Sequence, residues 1–216
     1  MKGKWASGIA PRNFAWIIKD HLAVCERPGG YGPNHRRVRR QEEIIWIREQ
    51  GFTKVISLIP SPHNLHNYDE LGVAWLHRPF GSQNPSDQFL VEVLPELHGL
   101  MANGEKVLVH QDELGDRVQG LMAAFLRWEG MIEDGPTAVT VIERLLGRQL
   151  GPFGRELVAI APRVPGARPS SASSARNSRC ARITRASTAW ATRVAGEVCW
   201  AAAATGILSE RASKTE

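Results

Sequence analysis

Residues 106–128 leave few folds open to this chain. Lys106-Val-Leu-Val-His110 is an apolar run of strand length, a short loop of mostly polar residues follows, and Val118 to Trp128 is almost entirely apolar. A strand with no alternation of polar and apolar residues is covered on both faces, and a helix that is apolar nearly all round is buried. This combination predicts an α/β domain: a mostly parallel central sheet flanked by helices. In such sheets ligands bind beyond the carboxyl ends of the strands, which places the loop after His110 at the expected site.

The flanking sequence follows the same plan. Lys54-Val-Ile-Ser-Leu-Ile59, closed by Pro60-Ser-Pro62, and Val73-Ala-Trp-Leu76 read as further buried strands. Val38 to Gln50 reads as a helix stopped by Gly51. Asp87 to Asn103 spaces Phe89, Leu90, Val93, Leu94 and Leu97 as a helix, with Ser86 as a cap, Pro95 as a potential kink and Gly104 as a stop. Thr137 to Arg148 is amphipathic and begins beside Pro136, and Gly151-Pro-Phe-Gly-Arg155 reads as a turn before a last short helix.

The loop Val107-Leu-Val-His-Gln-Asp-Glu-Leu-Gly-Asp-Arg-Val-Gln-Gly-Leu121 has the strand–loop–buried-helix order of many anion sites. It resembles the loop of the cysteine-dependent dual-specificity and protein-tyrosine phosphatases, which runs His, Cys, five residues, Arg, then a small hydroxyl residue. His110 and Arg117 fall on the family's His and phosphate-gripping Arg. Upstream, Asn13-Phe-Ala-Trp-Ile-Ile18 and Leu22-Ala-Val-Cys-Glu-Arg-Pro28 resemble opening strands of the kinase-associated type. Gly51-Phe-Thr-Lys-Val-Ile-Ser-Leu58 resembles the family's helix-to-strand step, and Thr137 to Leu145 its late helix, so the resemblance spans about Asn13 to Ala161. It implies a phosphatase-like fold with no cofactor.

The departures fall on the chemistry. Gln111 stands where the resemblance places the nucleophilic Cys, and an amide has no ionisable, attacking atom. Near the general-acid position there is only Ser82; Asp87 is the nearest carboxylate and reads as the start of a helix. Leu114 replaces the expected loop glycine, with Gly115 displaced by one, and Val118 replaces the small hydroxyl residue. Asp112, Glu113 and Asp116 set three negative charges where the family binds a dianion; at about 6 Å and an effective dielectric near 20, each repels a unit negative charge by roughly 3 kcal/mol. The expected site is therefore a ligand-binding loop of His110, Gln111, Asp112, Glu113, Gly115, Asp116 and Arg117 without a confident catalytic residue. In the absence of a ligand, Arg117 is expected to pair with Asp112 or Asp116.

These residues suggest a pseudophosphatase, a binding or regulatory module that recognises a phosphorylated or acidic protein partner through the Gln111 rim and the basic run Arg36 to Arg40. A solvated helix face is the plainer reading of that run, since Glu42 and Glu43 follow it. The alternative is an enzyme, either an active phosphatase or a metal-assisted hydrolase using His63 and His66 with the acidic loop. Cys25 has no adjacent base or anion loop and reads as packed and inert.

Charge divides the chain at Pro162. Residues 1–162 carry 18 Lys and Arg against 19 Asp and Glu, whereas residues 163–216 carry 9 against 3, so the net charge of +5 comes from the second segment. That Ala/Arg/Ser-rich segment lacks the apolar content to offset its ordering entropy and is expected to be a disordered tail. It fits either a basic arm for nucleic acid or an extension without an evolved role. The domain is accordingly drawn at 1–162. The three cysteines fit neither a disulfide framework nor paired zinc ligands, no apolar run is long enough for a membrane span, and Met1 to Pro11 lacks the apolar core of a signal peptide. A cytoplasmic location without membrane contact is the expectation.

Overall fold

The computed structural model describes residues 7–30, 36–82 and 84–169. Beyond Pro169 the expected tail lies outside the described residues. The domain opens with a hairpin, β1 (Ala15–Ile18) and β2 (Leu22–Glu26), whose tight turn places Asp20 at φ 60°. Then follow α1 (Arg37–Glu49), β3 (Lys54–Ser57), α2 (His66–Glu70), β4 (Trp75–His77), α3 (Ser86–Ala102), β5 (Val107–Gln111), α4 (Asp116–Trp128), α5 (Gly135–Leu146) and α6 (Pro152–Ile160), closed by a 3-10 turn at Ala161–Arg163.

The five strands lie in the order β1-β2-β5-β3-β4. The pairings β2–β5, β5–β3 and β3–β4 are parallel, but β1–β2 is antiparallel, so the sheet is mixed where a mostly parallel one was expected. The cause is local: the three residues between β1 and β2 can close a hairpin but cannot carry a parallel crossover. Along the central strands successive side chains enter opposite layers. Leu22, Val24, Val107 and Val109 meet α3, α4, α5 and α6, whereas Ala23, Cys25 and Leu108 meet Ile44 and Ile47 of α1 and Tyr68 of α2. Each strand therefore has two dry faces, as the lack of alternation implied.

Several ends shift from the sequence reading. Val73 precedes β4 because its N–H bonds to the Tyr68 carbonyl in the turn after α2. Ser86 is the first residue of α3 rather than its cap, and Pro95 lies within that helix. Asp134 caps α5 by accepting from the Thr137 N–H at 2.8 Å, and Gly147 ends it in the left-handed region at φ 65°. The packed chain also runs on past the 162 boundary. Val164 is buried, its carbonyl accepts from Trp128 Nε1, and the Arg168 N–H donates to the Trp128 carbonyl at 2.8 Å. There Arg168 Nη1 stands 3.4 Å from buried Glu129, whose carboxyl is pushed up to about 7 by desolvation despite that guanidinium.

Two elements set the site. Helix α4 begins directly after the β5 loop, and α6 crosses it so closely that a side chain on Gly120 would meet the backbone of Gly154. That glycine contact brings the start of α6, including Phe153, beside the start of α4.

Candidate functional site

The parallel strands β2, β5, β3 and β4 end at one edge. Glu26 is in register with Gln111, Ser57 with His110, and Ser57 with His77. A cavity of about 470 Å3 opens there, bounded by the β5 loop, by Pro60, Phe80 and Ser82 from the segments after β3 and β4, and by Phe153. The loop read from sequence thus lies at the carboxyl edge of the sheet.

Within the loop each side chain has a distinct setting. Gln111 Nε2 donates to the Phe80 carbonyl at 2.9 Å, so the amide fastens the β5 loop to the segment after β4. Phe80 is itself fixed, stacked on Phe89 with ring centroids 3.8 Å apart and bonded through its N–H to the Leu58 carbonyl. His110 does not face the cavity opening. It is 1% exposed, neither ring nitrogen has a hydrogen-bond partner among the described residues, and burial, then Arg27 and His77, push its pKa down to about 3. A neutral imidazole under the loop, 5.9 Å from the Tyr68 ring, is the consequence.

The three acidic residues prove to be differently employed. Asp112 pairs with Arg27 at 3.1 Å, and Arg27 also donates to the His63 carbonyl at 2.7 Å. Asp116 accepts from the N–H groups of Gly151 at 2.7 Å and Gly154 at 2.9 Å, which makes it the cap of α6 although it belongs to α4. Glu113 remains exposed on the rim. The charges of Asp112 and Asp116 are thus neutralised or spent, and the repulsion expected from the sequence is correspondingly smaller.

Arg117 departs from its expected pairing. Neither Asp112 nor Asp116 is its partner; its guanidinium lies over the Phe153 ring at 4.9 Å, and its Nε is buried without a hydrogen-bond partner. Gly115 is the extended residue before α4, and buried Leu114 turns its carbonyl to Gln119 Nε2 and Arg148 Nη1. Ser82 is exposed on the cavity margin, and Asp87 lies in the first turn of α3, outside the lining.

The remaining candidates separate. His63 is exposed in the loop after β3, and exposed His66 stands 3.9 Å from Glu70 on the same helix. No group of three or more His, Cys, Asp or Glu among the described residues is placed to hold a metal ion. In the basic run, Arg39 pairs with Glu43 at 2.7 Å and Arg40 is buried, which leaves Arg36 and Arg37 exposed at the start of α1. Cys25 is fully buried in β2, and burial, then Glu43 and Glu26, raise its thiol well above the ordinary value. Among the described residues no helix is long and apolar enough to cross a membrane.

Sequence reasoning missed Arg27, Phe80 and Phe153. Arg27 was within reach of inference, since it directly follows a strand that ends at the site edge. The contributions of Phe80 and Phe153 depend on the path of the segment after β4 and on the α4–α6 crossing, which no local pattern encodes.

No family model matches the chain, and no curated protein matches it in sequence. Solved structures do match. The kinase associated phosphatase carrying a serine for its catalytic cysteine gives a TM-score of 0.59 at 17% identity, over 71% of this chain and 94% of that one. Tk-PTP in its active form gives 0.56 at 20% identity, over 70% and 98%. The core catalytic domain of the PP-IP phosphatase Siw14 from S. cerevisiae, in complex with citrate, gives 0.53 at 14% identity, over 71% and 87%. The fold is therefore that of the dual-specificity and protein-tyrosine phosphatases, and the chain is phosphatase-like in architecture.

Proposed function

We propose that this protein is a non-catalytic phosphatase-like module that binds an anionic partner at the cavity beside the β5 loop. The observation that carries the reading is Gln111: the residue at the end of β5 is an amide whose nitrogen is bonded to the Phe80 carbonyl. A phosphoenzyme route needs an ionisable nucleophile there, and an amide supplies none. The nearby alternatives are weak. His110 is buried and neutral, Cys25 is buried with a raised pKa, and Ser82 is an exposed hydroxyl on the cavity margin.

Binding, by contrast, has support. Arg117 lines the cavity, and Arg36 and Arg37 are exposed at the start of α1, so an acidic or phosphorylated protein partner has guanidinium groups to meet. The phosphatase fold of the Siw14 core accommodates citrate, a carboxylate ligand. Rapid-quench mass spectrometry of the full chain mixed with an aryl phosphate tests the reading. No phosphorylated protein is expected, and a phosphoryl adduct on any cavity residue would end it.

A further inference from the structure

We infer that the helical layer of α4, α5 and α6 carries a second ligand site, for a short aliphatic monocarboxylate, in a cavity of about 430 Å3. It shares no lining residue with the cavity beside the β5 loop, so it stands independently of the non-catalytic reading. Arg127 is the residue that defines it. This is the one charged side chain in the run from Val118 to Trp128, and it reaches from α4 to donate through Nη1 to the Val158 carbonyl of α6 at 2.8 Å. Gly135, the first residue of α5, makes room for the group: a Cβ there would stand 3.3 Å from Nη1 and 3.4 Å from Val158 Cγ1. The guanidinium is thereby lodged between α5 and α6. Its Nε is buried without a hydrogen-bond partner, and no carboxylate among the described residues pairs with it.

The ionisable lining of the cavity consists of Arg127, Arg155 and Glu143. Glu143 Oε1 accepts from the Leu150 N–H at 2.9 Å and from Arg155 Nη2 at 3.2 Å, and Arg155 Nε donates to the Leu150 carbonyl at 3.0 Å. These two charges balance each other. Next to the lining, Asp134 accepts from both the N–H and the hydroxyl of Thr137 as the cap of α5. One positive charge, that of Arg127, is left in the lining, and it selects a monoanion. A planar guanidinium meets a carboxylate through two parallel hydrogen bonds, whereas a phosphate dianion calls for a second unpaired cation, which the lining lacks. Pro136, Val139 and Val158 form the apolar part of the wall, so the matching ligand carries an aliphatic group next to its carboxylate.

Calorimetric titration of the full chain with 4-methylpentanoate, its neutral amide and inorganic phosphate tests the site. Saturable binding of the acid is expected, with the amide weaker by about tenfold or more through loss of the charge-assisted hydrogen bonds, and phosphate weaker than the acid. Arg127→Gln should weaken binding of the acid by about tenfold or more. Ala159→Trp, at an exposed position of the wall, should abolish it by filling the cavity while leaving Arg127 in place. Arg117→Gln, in the other cavity, should leave it unchanged. Thermal unfolding of each variant accompanies the titration, and Ala159→Trp decides the outcome where Arg127→Gln loses its fold. No saturable binding of the acid, equal binding of acid and amide, tighter binding of phosphate, or binding that survives Ala159→Trp overturns the inference. Loss of binding in Arg117→Gln with retention in Arg127→Gln also overturns it, by placing the carboxylate beside the β5 loop.

Discussion

Replacing Asp116 by Ala should destabilise the domain through α6 rather than through the cavity. Its carboxylate accepts from the Gly151 and Gly154 N–H groups at 2.7 and 2.9 Å, so truncation leaves two amides at the start of α6 without their acceptor. Hydrogen bonds to a charged group contribute about 1.5–3 kcal/mol each, but water reaches this part-buried site and replaces some of that. Loss of a helix cap costs roughly 0.5–2 kcal/mol, and removal of a carboxylate from the first turn of α4 adds about 0.3–1 kcal/mol. The expected loss is therefore about 2–3 kcal/mol. For a chain of this size about 2–4 °C accompanies each kcal/mol, so Tm should fall by roughly 4–12 °C. Asp116→Asn retains one acceptor oxygen and should lose about half as much. Urea denaturation followed by Trp fluorescence measures both variants. A loss below about 0.5 kcal/mol for Asp116→Ala would refute the assignment of this residue as the cap.

Two other perturbations follow from the core. His110 has a folded pKa of about 3 against an unfolded value near 6.5, so the unfolded chain binds the extra proton and stability falls as pH drops from about 6.5 towards 3. At pH 5 this group alone should cost about 2 kcal/mol relative to pH 8, measured as the difference in pH slope between the wild-type chain and His110→Leu; equal slopes would contradict the buried, neutral assignment. Gly120→Ala places a methyl group against the Gly154 backbone and should cost about 1–3 kcal/mol by overpacking, and an unchanged urea midpoint would argue against the close α4–α6 crossing.

The legible part of the fold was the part encoded locally. The apolar runs at 54–59 and 106–110 announced strands with two covered faces, and Leu121, Met122, Phe125 and Leu126 announced a buried helix, because burial on all sides leaves no polar alternation. The position of the β5 loop at the carboxyl edge followed from the same architecture. The antiparallel β1 depended on a turn of only three residues, and its pairing was obscured by reading the strands as one parallel set. Charge at the site was less legible. Asp112 and Asp116 look equivalent as a sequence, yet Asp112 pairs with Arg27 and Asp116 caps α6, accepting from the Gly151 N–H 35 residues later. Those partners come from the residue after β2 and from the start of α6, and only the tertiary structure brings them to the loop. The same distance in sequence hid Phe153, whose ring takes the place beside Arg117 that a carboxylate was expected to occupy.

Steady-state turnover of an aryl phosphate by the purified full chain tests the central claim most directly. With an amide at position 111 secured to the Phe80 carbonyl, phosphate release should match that of buffer alone across neutral pH. Release that co-purifies with the protein and disappears in Arg117→Ala would show that this cavity performs phosphatase chemistry after all.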